Sequence, residues 1–248
     1  VRWARARGVA VVGIMVSLVL AAAVALATQL MQRVIDARER EQLTLARMER
    51  IRVALCAYHR LNSGFPAGPP PSPTPTPAYA NHVAPVGWLD HSGNAQGWMK
   101  SLGLSIEDVT DGWGRLISVQ SGGPNCTVNN LYVDTDGDGT QAAPNACVVL
   151  ISHGRTGYGA YFTQATAAGL PWQGPAPTPG GPANGAGAER RNTLSTSGTG
   201  TEPYQTVAPQ AACTGGPRDD PNSPCHFDDI VRYYTNPSPP GPMALCPS

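Results

Sequence analysis

The chain has 248 residues, with 17 basic and 17 acidic side chains and a formal net charge of zero. The balance hides an asymmetry: residues 1–60 hold ten arginines against four acids, and the remainder holds seven basic residues, Lys100 the single lysine among them, against thirteen acids. A mildly acidic body lacks the clustered cations that displace counterions from nucleic acid, so no nucleic-acid partner is expected, and 28 glycines with 25 prolines leave room for one modest folded domain with long loops.

Residues 9–30 run for 22 positions without a charge, enough as a helix to cross the roughly 30 Å hydrocarbon core of a bilayer. Arg2, Arg5 and Arg7 precede the run without an acid, which by the positive-inside rule favours a cytoplasmic N-terminus. The run is longer than the apolar region of a secretory signal peptide and leads into charged helix instead of a small-x-small cleavage site. A plain signal anchor and a prepilin both fit. The short basic stretch ending at Gly8, directly before Val9 and the apolar segment, resembles the type III signal of type IV pilins and type II secretion pseudopilins. By that resemblance, prepilin peptidase cuts between Gly8 and Val9 and removes residues 1–8 as a leader. Residues 9–30 are then the transmembrane half of the N-terminal helix. Gly13, fifth when counted from Val9, stands where most of the family carries a glutamate that pairs with a neighbouring subunit, so one assembly contact of the family is missing here.

Residues 31–64 read as the amphipathic half of the same helix. Leu45, Met48, Ile51, Leu55, Tyr58 and Leu61 recur at spacings of three and four, one apolar face, while Arg38, Arg40, Glu41, Arg47, Glu49 and Arg50 fill the remainder. Gly64 is the expected left-handed residue that ends the helix, with Pro66 as a stop beyond it. Ala54, Leu55, Tyr58, Asn62, Gly64, Phe65 and Pro66 resemble the pseudopilin pattern at the end of this helix.

Residues 65–100 form a proline-rich loop whose alternating prolines in 68–80 suppress helix and ladder alike and favour extended polyproline geometry. Residues 101–248 read as a β-rich globular domain. Ser101 to Val109 is a short helix or turn. Asp111-Gly112-Trp113-Gly114 then enters a strand through a glycine turn, with Trp113 expected to cap the apolar layer, and is similar to an element that pseudopilins place at the entry to their sheet. Further strands are expected at Thr127–Val133, Cys147–Ser152 and His226–Tyr234. The last resembles the closing strand of pseudopilins through Asp229-Ile230. Between them, 163–224 is a low-complexity insertion of Gly, Pro, Ala, Thr and Ser, expected as loop without packed structure.

Six cysteines, an even number, in a region the anchor places outside the cytoplasm point to disulfides. Fifteen connectivities are open. Cys126 with Cys147 and Cys213 with Cys225 are preferred because each pair brackets a loop, and Cys246 is a candidate staple for the tail. Asp134, Asp136 and Asp138 with Gly139 match the first half of an EF-hand-like calcium loop, but Asn145 stands where a bidentate glutamate belongs. The loop is therefore either a structural calcium site completed from elsewhere or a hydrated hairpin turn. Type II secretion major pseudopilins bind calcium in a later loop; its counterpart here, 152–157 with Asp228 and Asp229, carries Arg155 and Thr156 where the family tends to place an aspartate. No nucleophile elbow, zinc-protease motif or phosphate loop occurs, and Ser152 and His153, neighbours on a strand, point apart. No catalytic residues are assigned.

The expected fold is α+β: a long N-terminal transmembrane-and-stalk helix packed on a small antiparallel sheet with long Pro/Gly-rich loops. The resemblance implies a structural subunit of a type IV pilus-like or type II secretion pseudopilus fibre. Such a subunit is processed by prepilin peptidase and sits in the bacterial inner membrane as a single pass, with its C-terminal domain periplasmic. It then assembles with other pilin or pseudopilin subunits into a periplasmic or surface fibre. The alternative is a membrane-anchored extracytoplasmic binding or sensor domain with a calcium-stabilised loop.

Overall fold

The computed structural model describes residues 2–65, 98–121, 131, 133–134, 146–155, 161–165, 171–173, 204–205, 229–235 and 245–246. The chain divides into two compact units, Val1–Gln42 and Leu43–Ser248. A long apolar helix and a small antiparallel sheet make the fold α+β.

Helix α1 spans Arg2–Asn62. From residue 14 to residue 62 it contains neither glycine nor proline, so nothing in its interior breaks the hydrogen-bond ladder. It stops where the Asn62 side-chain amide donates to the Tyr58 carbonyl at 3.0 Å, satisfying one of the carbonyls that a helix end leaves open. The left-handed residue is then Ser63, at φ 53°, and not the expected Gly64: the stop at Asn62 brings the bend one position early. The bend turns Phe65 back toward the core, where its ring stacks on Trp98 at 5.7 Å and 23°.

Within the second unit the buried positions of α1 are Thr44, Met48, Ile51, Leu55 and Cys56, a seam at helical spacing. Met48, Ile51 and Leu55 lie on the expected face. Leu61 does not; it is 85% exposed, because it sits roughly 80° round the helix from Ile51, and Thr44 extends the seam at the other end.

The central sheet has the order β2-β4-β8, with β2 Ser118–Ser121, β4 Ala146–Ser152 and β8 Ile230–Thr235. Both pairings are antiparallel, with Ser118 opposite Ile151 and Ser152 opposite Ile230. All seven residues of β4 are buried. The alternation of a strand explains how: Val148 and Leu150 join Met48, Ile51, Leu55, Trp98 and Tyr234 in the main core, while Val149 and Ile151 join Leu131 and Val133 in a second, smaller one. Leu150 and Ile151, neighbours in sequence, thus go to opposite layers, each burial stabilising by about 1.5–3 kcal/mol. A register shift between Ala146 and Val148 lets Cys147 slip into the main core.

The remaining elements are short. Helix α2, Trp98–Ser101, falls at the end of the stretch expected to be proline-rich loop. β1 Arg115–Leu116, β5 Tyr161–Ala165 and β6 Pro171–Gln173 form an antiparallel sheet in the order β1-β5-β6. β3 Val133–Asp134 pairs with β7 Tyr204–Gln205 in parallel. β6, β7 and most of β5 lie inside 163–224, so that insertion is not structureless throughout: backbone pairing of two or three residues asks little of the side chains around it. Of the expected strand Thr127–Val133, the described residues show Leu131 bridged to Ala146 and the start of β3 at Val133. Trp113 is only half-buried, and the tryptophan that closes the apolar layer is Trp98, 3% exposed.

Candidate functional site

The first functional element is the apolar stretch of α1. Ile14, Leu18, Val19, Leu20, Val24, Leu26, Leu30 and Val34 are all more than half exposed, and this is one helix long and apolar enough to cross a membrane. An apolar surface of this length facing water is unstable; in lipid it is satisfied. Thr28, the polar residue one turn above Val24, donates its hydroxyl to the Val24 carbonyl at 2.9 Å and so needs no outside partner. Gly8 and Val9, the expected processing pair, both lie within α1.

The second element is a buried polar cluster at one end of the sheet, built around the turn that precedes β1. Asp111, 1% exposed, accepts from the Trp113 and Arg115 amides through Oδ1, both at 2.9 Å, and from the Ser152 hydroxyl through Oδ2 at 2.7 Å. Gly114 at φ 83° makes the reversal possible. Burial pushes the Asp111 carboxyl above its usual range, although the Arg115 amide, the Ser152 hydroxyl and the Trp113 amide all act against the rise. Helix α1 grips the same turn: Arg47 donates to the Thr110 and Asp111 carbonyls at 2.8 and 3.1 Å, and the Thr44 hydroxyl accepts from the Gly112 amide at 2.9 Å. These bonds explain why a threonine occupies an otherwise apolar seam. Just before the turn, Asp108 accepts from the Ser105 amide and hydroxyl, both at 2.8 Å, and pairs with Arg50 at 3.0 Å. Burial alone would raise its carboxyl; Ser105, Arg50 and Arg47 outweigh that and hold it below the usual range.

Beside this turn, Ser118 Oγ lies 3.2 Å from His153 Nε2, and His153 Nδ1 lies 3.7 Å from Asp229 Oδ1. Hydroxyl, imidazole and carboxylate stand in the order of a nucleophile, its base and the base's orienting acid. Two features separate the trio from that chemistry. The 3.7 Å gap exceeds hydrogen-bond reach, and Ser118 and His153 are both 0% exposed, so the hydroxyl is closed off from solvent. Sequence reasoning missed the trio because only the strand register brings the residues together: with Ser152 opposite Ile230, the next pair outward is His153 and Asp229. The loop 152–155 is tied down by Arg115, which donates to the Gly154 carbonyl and, at 3.0 Å, to that of Arg155. Those two carbonyls are thereby engaged by a guanidinium in the loop where the family resemblance would place calcium.

A third group sits where the tail meets α1. Arg52 is held by Glu49 through contacts of 2.8 and 2.5 Å, donates to the Leu245 carbonyl at 2.7 Å and lies 6.0 Å from the centre of the Tyr234 ring. The hydrogen bond to Arg52 lowers the Glu49 carboxyl. Burial, with the Glu49 charge, pushes the Tyr234 hydroxyl up to about 12.

Asp134 ends β3, while Asp136 and Asp138 lie outside the described residues, as do Cys126, Cys213 and Cys225. Among the described residues no group of three or more His, Cys, Asp or Glu could hold a metal ion. Cys147 is disulfide-bonded. Cys56 and Cys246 form a disulfide, with Cα atoms 5.2 Å apart; the tail is stapled, and its partner is the helix. Comparison with protein-family models, with curated proteins and with solved structures finds no match.

Proposed function

We propose that this chain is a non-enzymatic structural subunit of a type IV pilus-like or type II secretion pseudopilus fibre, cut by prepilin peptidase between Gly8 and Val9. The reading rests above all on one observation: an uncharged, exposed helical segment, directly behind a basic stretch ending in glycine, is covalently continuous with the α1 seam of an α+β unit. A rod of this kind rests in a bilayer and, in a fibre, exchanges lipid contacts for the helices of neighbouring pilin or pseudopilin subunits. The unit from Leu43 onward then lies on the periplasmic side of the inner membrane before assembly. Calcium enters the reading at the Asp134, Asp136, Asp138 loop alone, where hard oxygen ligands alternate; a rise in melting temperature on adding calcium, abolished in D136N, supports it.

Co-expression with a prepilin peptidase, followed by intact-mass measurement and N-terminal sequencing, tests the proposal. A mature chain beginning at Val9, with or without an added methyl group, supports the subunit reading. Retention of residues 1–8 supports the anchored binding or sensor domain instead.

A further inference from the structure

We propose that Cys56 and Cys246 are a modification site for a thiol–disulfide oxidase, and that the bond it installs is a clasp seating the tail in the main core. Cys56 follows the core residue Leu55 on α1 and is 9% exposed; Cys246 is 7% exposed. Their Cα separation of 5.2 Å falls within the range a disulfide spans without backbone movement. Leu245, next to Cys246, is 0% exposed and belongs to the main core. Its amide donates to the Thr235 carbonyl at the end of β8 at 3.1 Å, and its carbonyl accepts from Arg52 at 2.7 Å.

Among the described residues, and apart from the disulfide, Leu245 is seated by its own buried side chain and these two hydrogen bonds. Contacts of this kind open and close locally on their own. The covalent link changes this, because it ties the tail to a helix residue 190 positions away and removes that freedom from the unfolded chain. Position selects the pair as well: Arg52, already oriented by Glu49 one turn away, draws the Leu245 carbonyl to the helix and so brings Cys246 to Cys56 rather than to the other cysteines.

In the step itself, the two thiols give up two protons and two electrons and form one S–S bond. The electrons reduce the disulfide of the oxidase, which leaves as a dithiol. Such bonds persist in oxidising compartments, and Cys147 is in a disulfide too, so the unit Leu43–Ser248 is completed on the oxidising side of the membrane. The clasp does not depend on the fibre reading, since an anchored binding domain would carry it equally. Loss of one proposal leaves the other standing.

The test uses the full chain, expressed in a bacterial envelope with and without the thiol–disulfide oxidase of that compartment and extracted in detergent. Non-reducing peptide mapping is expected to yield a Cys56–Cys246 cross-linked peptide. Without the oxidase, maleimide labelling of Cys246 and protease cleavage of the tail are each expected to be roughly tenfold faster, and C56S/C246S is expected to show the fast cleavage even with the oxidase present. Cys56 or Cys246 found in another pair overturns the proposal, as does a C56S/C246S tail protected as well as in wild type. Should that variant not accumulate, stepwise reduction of purified wild-type protein decides in the same terms: cleavage that rises as Cys246 becomes alkylated supports the clasp, and a tail still protected after alkylation overturns it.

Discussion

Asp111→Ala removes the carboxylate around which the turn before β1 is built. Three donors lose their acceptor: the Trp113 and Arg115 amides and the Ser152 hydroxyl. A buried donor left without a partner costs about 1–3 kcal/mol. Since Trp113 and Arg115 are half-buried and water reaches part of the turn, the whole change should cost about 3–4 kcal/mol. Asp111→Asn keeps an oxygen for the two amides and can meet the Ser152 hydroxyl with its NH2 group, so about 1 kcal/mol is expected. For a folded unit of this size, about 2–4 °C of melting temperature accompanies each kcal/mol, which gives drops of roughly 6–16 °C for alanine and 2–4 °C for asparagine. The assay is thermal and urea unfolding of the full chain in detergent, followed by near-ultraviolet circular dichroism of its aromatic side chains. The difference from asparagine should also depend on pH. Because burial raises the Asp111 carboxyl in the folded state, its protonated form contributes stability that is present below the unfolded value and is lost as pH rises through the folded one. The gap between wild type and D111N therefore widens on acidification and narrows toward neutrality. An alanine variant melting within about 2 °C of wild type would refute the reasoning.

Three further outcomes follow from the same contacts. Asp108 has the opposite sign: its carboxyl is held low in the folded state, so its stabilisation is present above the unfolded value and lost as pH falls through the folded one. D108N should cost about 1–2 kcal/mol at neutral pH and nothing once pH falls well below about 4, read from urea midpoints across that range; a pH-independent difference would contradict this. Thr44→Val keeps the seam filled but strands the Gly112 amide, for a loss of about 1–2 kcal/mol, and its effect should fall short of additive with D111A because both act on one turn; strict additivity would count against a shared role. Arginines placed together at Val19 and Ala23 each cost about 2.5–3.5 kcal/mol at the centre of a membrane helix. The double variant should leave the carbonate-resistant membrane fraction, and its retention there would argue that this segment does not span.

Much of the architecture can be read from the residues alone because burial leaves a pattern in them. The uncharged run of α1 and the continuous apolar strand Cys147–Ser152 follow from unbroken stretches, and the Met48, Ile51, Leu55 seam from a spacing of three and four. What escaped the reading depends on contacts between distant residues. Thr44 looks like a break in the seam until the Gly112 amide that needs its hydroxyl is known. Ser118, His153 and Asp229 share no local motif and meet through strand register. Cys56 and Cys246 are the most widely separated cysteines in the chain, whereas a preference for short bracketed loops looks at near pairs first. Leu61 matched the spacing rule and still faces solvent, since a spacing of three or four accumulates angular drift along a helix.

The double burial of β4 has a kinetic side. One edge of β4 is closed by a partner that arrives from far along the chain, β8, whereas β2 and the segment around Leu131 and Val133 precede it, so the strand can form before everything that will shield it is at hand. Bringing such remote pieces together is slow. In the interval, an adhesive ribbon is open to the same ribbon on another nascent molecule. How much of this protein a cell accumulates should therefore be governed less by how firmly the finished unit holds than by how crowded its surroundings are while it waits to close.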